Sequence, residues 1–162
     1  VEFTEYVAAR RAALVRSAVL LGCPQPDAED IVQSTLTKAY RSWRRVQRAD
    51  QPDAYVYRIL VNTLRDARAR KWRREVPTHD LPELAEPDRD LAAGLAVRHA
   101  LAALRPDHRE VLVLRFFADL SEQQTADTLK IPAGTVKSRT ARALATLSEQ
   151  ADIAALTTER GR

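Results

Sequence analysis

Apolar residues recur at three- and four-residue steps through most of the chain, the period of helices with one inward face. Phe3, Tyr6, Val7, Leu14, Ala18 and Leu21 form the first such stripe. A second runs Ala28, Ile31, Val32, Thr35, Leu36, Ala39, Tyr40 and Trp43, behind Pro26-Asp27, with Asp27 expected as the N-cap. The opposite face carries Glu29, Asp30, Gln33, Lys38 and Arg41. A polar interruption from Arg44 to Gln51 leads to Pro52-Asp53 and a third helix reaching about Trp72. Its inward stripe is Val56, Leu60, Leu64 and Ala67, with Ile59 shared, which leaves Tyr55, Arg58, Asn62, Arg65 and Arg68 to look outward. Two tyrosines (55 and 57), an amide and several arginines on one helix can both stack bases and bond to them. Taken alone, Tyr55 and Tyr57 are equally suited to half-buried packing.

Farther on, Leu91, Leu95, Leu101 and Leu104 mark another helix, and Pro106-Asp107 begins one through Val111 to Phe117. From Asp119 to Arg142 the pattern is two short helices around a tight turn, the layout of a DNA-reading helix-turn-helix. Ser121 is the expected N-cap of the first, with Gln124 as its capping-box partner, and Ala126 is small where a second helix must cross closely. Leu129 and Ile131 plug the angle, Pro132 opens the second helix, and Val136 and Leu144 are expected to face inward. The outer face is Thr135, Lys137, Ser138, Arg139 and Arg142. Three cations and no carboxylate lie between Ala133 and Leu147, which suits phosphate oxygens and guanine edges in a major groove. An ordinary helical hairpin with a solvated basic face is the plainer alternative. No alternating β-branched run occurs, and the fold class expected is all-α.

Charge sharpens the division of the chain. From Arg41 to Arg74 eleven Arg and Lys oppose three Asp, a balance of +8, whereas Glu75 to Asp90 holds six carboxylates, one Arg and three prolines. Proline removes helix donors and like charges repel, so residues 75–90 are expected to be an extended acidic linker reaching at most roughly 50 Å. The expected organisation is a helical domain at 1–74, the linker, a four-helix domain at 91–150 and a frayed tail at 151–162. The net charge is +4, and nearly all of the positive charge is arginine, whose planar fork matches phosphate.

The single cysteine, Cys23, excludes an intramolecular disulfide and suggests a buried inert thiol. No Cys/His group has metal-ligand spacing, and no metal or cofactor is expected. The chain has neither a membrane-length apolar run nor a signal-peptide pattern, so a cytoplasmic, nucleoid-associated location is expected.

Three segments then carry a resemblance. Asp27-Ala-Glu-Asp-Ile-Val-Gln33 with Ala39-Tyr-Arg-Ser-Trp43, Ala54-Tyr-Val-Tyr-Arg-Ile-Leu-Val-Asn62 with its basic trail, and Arg109-Glu-Val-Leu through Arg142 together resemble a bacterial sigma factor of the extracytoplasmic-function group, built from sigma regions 2 and 4. The resemblance implies that Glu29, Asp30 and Gln33, with Arg41 nearby, dock on the clamp helices of the largest subunit of core RNA polymerase, with the polymerase flap as a further contact. It implies that a residue between Arg45 and Gln51 captures a flipped base, and that Tyr55, Tyr57, Arg58 and Asn62, aided by Arg65 and Arg68, bind the opened minus-ten strand. Thr135, Lys137, Ser138, Arg139 and Arg142 would read the minus-thirty-five box of promoter DNA. The acidic linker would pass near the active cleft and RNA exit path, and many relatives are held by an anti-sigma protein. Three positions depart from the family pattern: Tyr55 stands where Trp is common, Thr125 where a bulky aliphatic is, and Lys130 at a turn position often held by Gly. A non-Gly residue at positive φ would cost about 1 kcal/mol there, and a buried Thr125 hydroxyl would need a backbone carbonyl.

Two rivals remain. A stand-alone helix-turn-helix regulator would use the C-terminal unit on duplex DNA and the N-terminal unit for dimerisation. A hydrolase would need Asp27, Glu29 and Asp30 to hold a metal with a histidine, but Asp27 and Glu29 lie on different helical faces and His79, His99 and His108 stand singly. The expectation is an initiation factor without catalytic residues.

Overall fold

The computed structural model describes residues 1–74 and 89–160, which are helical with short connections. In chain order the helices are α1 (Phe3–Leu20), α2 (Gln25–Arg41), α3 (Trp43–Arg48), α4 (Pro52–Arg74), α5 (Arg89–Ala102), α6 (Pro106–Leu112), which passes into a π turn over Val113–Phe117, α7 (Glu122–Leu129) and α8 (Ala133–Arg160). The acidic linker expected at 75–90 falls outside the described residues up to 88.

In the first unit α1, α2 and α4 pack on one another around Leu14, Val32, Val56 and Leu60, with α3 anchored by Val46. Polar groups inside this core are matched: the Ser17 and Tyr57 hydroxyls share a hydrogen bond of 2.9 Å, and Thr35 donates to the Ile31 carbonyl at 2.8 Å. Tyr6 donates to Asp53 at 2.9 Å and Arg10 holds the other Asp53 oxygen at 2.9 Å, so one carboxylate ties α1 to the start of α4. Helix α1 stops at Gly22, whose φ of 99° lets Cys23 N–H reach back to the Ala18 carbonyl at 3.0 Å. A side chain at Gly22 would also strike the guanidinium groups of Arg109 and Arg68. Cys23 is buried, and burial pushes its thiol up, away from the reactive thiolate.

The second unit packs α6 and α7 against α8 around Val111, Val113, Leu114 and Val136. Arg109 closes the end of α5, donating to the carbonyls of Leu101 (3.0 Å), Ala102 (3.2 Å) and Leu104 (3.2 Å). The two units touch: α4 lies against α7, α1 against α5, and Arg65 pairs with Glu110 at 3.3 Å.

Several boundaries and faces differ from the sequence reading. Helix α2 starts at Gln25 with Pro24 as N-cap, two residues before Asp27, because the Pro24 carbonyl already accepts the Asp27 N–H at 2.9 Å; Asp27 instead pairs with Lys71 at 2.7 Å. Helix α3 runs into the interruption at Arg44–Gln51, and its one buried residue, Val46, gives too short a period to be seen. Tyr40 is 62% exposed, and Leu144 is 45% exposed. Eight residues beyond Val136, Leu144 has turned roughly 80° from the seam, and Ala143 takes the buried place. Helix α8 is continuous to Arg160, into the stretch from Ala151 expected as a frayed tail.

The helix-turn-helix follows its sequence signals closely. Ser121 Oγ accepts from Gln124 N–H at 3.0 Å while Gln124 Oε1 accepts from Ser121 N–H at 2.8 Å, a complete capping box. Thr125 is buried and its hydroxyl donates to the Ser121 carbonyl at 2.9 Å, which meets the need of that polar group. Lys130 sits in the left-handed region, φ 57° and ψ 47°, at the end of α7. Lys130→Gly is therefore expected to raise the unfolding midpoint in urea, by an amount equivalent to about 0.5–1 kcal/mol. An unchanged or lower midpoint would show that the turn carries no strain.

Candidate nucleic-acid interface

Three exposed surfaces carry the predicted residues. The first is the outer side of α2, where Glu29, Asp30, Gln33 and Arg41 are all exposed and Glu29 also pairs with Arg11 of α1 at 2.8 Å. Seven residues on from Gln33, Tyr40 shares this side and leans on Phe3 with ring centroids 4.9 Å apart. The sequence reading placed Tyr40 inward; its spacing from Gln33 was the signal that would have placed it outward.

The second surface is on α4. Tyr55 and Asn62 are half-buried, Arg58 and Arg65 exposed, and their spacing of three and four residues sets them along one side. Tyr57 is a correction: two residues from Tyr55 it points about 200° away, its ring is buried and its hydroxyl is engaged by Ser17. Burial pushes the Tyr57 hydroxyl up, so it stays protonated. Arg68 is exposed but lies toward the seam with the second unit, donating to the Leu21 carbonyl. Arg65 joins the two settings, on the α4 side yet paired with Glu110.

Beside the start of α4 lies a cleft of about 390 Å³, lined by Tyr6, Arg10, Trp43, Gln47, Gln51 and Asp53 among others. Gln47 and Gln51 belong to the stretch expected to capture a flipped base. Trp43 also borders it, and its indole Nε1 is buried with no protein acceptor.

The third surface is α8. Lys137, Ser138 and Arg142 are exposed, while Thr135 and Arg139 are half-buried beside the seam with α6. Arg139 Nε lies 3.8 Å from Asp107. The Ser138 hydroxyl donates to the Thr135 carbonyl at 3.1 Å, leaving its lone pairs outward. No cluster of three or more His, Cys, Asp or Glu suited to a metal occurs among the described residues, and no described helix is long and apolar enough to cross a membrane.

Known proteins share this arrangement. The family model Sigma-70 region 2 matches residues 5–74, and Sigma-70, region 4 matches residues 100–149. RNA polymerase sigma-E factor of Streptomyces coelicolor is 41% identical over 152 residues, covering 92% of this chain and 85% of that protein. ECF RNA polymerase sigma factor SigL of Mycobacterium tuberculosis is 34% identical, over 79% of this chain and 76% of that one. Among solved structures, the sigma factor RpoE in complex with the anti-sigma factor NepR from Bartonella quintana superposes with a TM-score of 0.76 at 28% identity, covering 93% of this chain and 97% of that one. With region 2 over α1–α4 and region 4 from the end of α5 into α8, this chain belongs to the sigma-70 family, as a sigma factor of the extracytoplasmic-function group.

Proposed function

We propose that this sigma factor brings core RNA polymerase to promoters with two boxes and divides the task among the three surfaces described above. The acid-and-amide side of α2, widened by Tyr40, docks on the polymerase. The Tyr55, Arg58, Asn62 and Arg65 side of α4, with the cleft beside Gln47 and Gln51, takes the opened minus-ten strand. Unstacking a base costs a few kcal/mol, so a reader of melted DNA needs aromatic and amide groups, whereas duplex DNA is read by a narrow basic helix. Helix α8 is such a helix; Lys137 and Arg142 are the donors it presents most openly, and the exposed Ser138 hydroxyl, its proton given to the Thr135 carbonyl, can accept. Thr135 and Arg139 complete that face. The protein has no chemistry of its own in this reading and works in the cytoplasm, with an anti-sigma protein as a second class of partner.

The observation that carries the proposal is that one chain presents two unlike faces, Tyr55, Arg58, Asn62 and Arg65 on α4 and the carboxylate-free basic side of α8. A dimeric duplex-binding regulator has no use for the α4 face, so that reading is not favoured. A gel shift with a promoter fragment tests the choice. Tight, specific retention only when core polymerase is present is expected, and a premelted minus-ten segment should strengthen it. Equal retention by the chain alone would return the regulator reading. In the same assay Tyr55→Ala is expected to weaken retention of the premelted fragment by about tenfold, the value of one lost base stack, with little change on a fully duplex minus-thirty-five fragment.

A further inference from the structure

Asp107 is the carboxylate that α6 brings against the reading helix. It sits in the first turn of α6, where its Oδ1 accepts from His108 N–H at 3.0 Å and meets Arg105 Nε at 3.3 Å. Its Oδ2 faces Arg105 Nη2 at 3.4 Å and Arg139 Nε at 3.8 Å. A carboxylate beside a duplex-binding face repels phosphate, so its place there calls for a physical reason. Two features supply one. Arg105 offsets most of the negative charge, so the repulsion left is small. Moreover Asp107 approaches Arg139 at Nε, the inner nitrogen, and no other ion pair or hydrogen bond engages Arg139 among the described residues. At 3.8 Å this is a charge contact rather than a hydrogen bond; it biases the Arg139 side chain from its inner nitrogen and leaves both terminal nitrogens for a bidentate contact with the O6 and N7 edge of guanine.

We propose that Asp107 is a positioning residue for base recognition: it orients the Arg139 guanidinium so that its terminal nitrogens face a guanine of the minus-thirty-five box. Desolvation acts to raise the Asp107 carboxyl, but Arg105, His108 and Arg139 outweigh it and hold the group below its ordinary value, so it is ionised in any neutral buffer. The inference rests on the reading of α8 as the duplex reader. It adds a contribution from α6, outside the helix-turn-helix, to sequence choice.

The test is initiation by the full chain with core polymerase on a set of promoters substituted singly at each minus-thirty-five base pair. Arg139→Ala is expected to flatten the preference at one base pair by about tenfold. Asp107→Asn keeps an oxygen for the His108 N–H but removes the charge facing Arg139; it is expected to flatten the same base pair by about fivefold, with little change elsewhere. Combining the two should give no more loss than Arg139→Ala alone. Thermal melts of both variants separate misfolding from misreading. If Asp107→Asn lowers initiation from every promoter by one common factor, or adds fully to Arg139→Ala, Asp107 only supports the helix and the proposal fails. A flat profile for Arg139→Ala itself would overturn the reading of Arg139 as a base reader, and the inference with it.

Discussion

Replacing Tyr57 by alanine is expected to lower the unfolding free energy by about 3–5 kcal/mol, the range for large aromatic side chains removed from a core. The ring is buried among α1 and α4, and removing it also strips the Ser17 hydroxyl of its partner. Against a total stability of about 5–15 kcal/mol, that is enough to leave much of the protein unfolded at 37 °C. Tyr57→Phe keeps the packing and gives up one hydrogen bond, a loss of about 1 kcal/mol. Urea denaturation followed by circular dichroism measures both. The same variants separate packing from reading: Tyr57→Phe is expected to open promoters at the normal rate, followed by a fluorescent base in the minus-ten element. Tyr55→Ala should slow opening while costing under about 1 kcal/mol of stability, as befits a half-buried side chain. Normal stability with lost opening in Tyr57→Phe would instead place that hydroxyl among the DNA contacts.

The second large effect is a separation of function between α2 and α8. Changing Asp30 and Gln33 together to alanine is expected to weaken binding to core polymerase by at least about tenfold, and Tyr40→Ala by a similar factor, since exposed aromatic anchors carry much of an interface's energy. These variants should bind a duplex minus-thirty-five fragment through the second unit as the parent does. Arg142→Ala should do the reverse. It is expected to leave polymerase binding intact, weaken the box by about 1–2 kcal/mol and reduce the salt dependence of DNA binding by about one ion. Polymerase pull-down and fluorescence anisotropy at several salt concentrations provide the two readouts. An identical pattern of defects from both sets would mean that the faces are wrongly divided.

How far these surfaces were legible in the sequence depended on how many residues marked each one. The helix-turn-helix was specified several times over, by the Ser121 and Gln124 capping box, the small Ala126 and the basic outer face, and its strained Lys130 was visible as a missing glycine. Helix α3 was hidden because six residues with one buried side chain have no period to detect. Tyr57 was misplaced because its neighbour Tyr55 drew it to the same surface by composition, although residues two apart on a helix point about 200° apart and cannot share one face. Tyr40 was drawn inward by its hydrophobicity, when Phe3 of another helix supplies a partial cover that leaves most of the ring exposed. The contact between the units, Arg65 with Glu110, and the one inside the second unit, Arg139 with Asp107, join residues 45 and 32 positions apart in the sequence. Among many arginines, nothing local identifies such a partner.

Run-off transcription with purified core polymerase and this chain, on a template carrying both boxes at their natural separation, tests the central claim most directly. A single transcript start that disappears when either box is scrambled, and that core polymerase alone does not give, is the expected result. Core polymerase that initiates at the same sites with and without the chain would contradict the account.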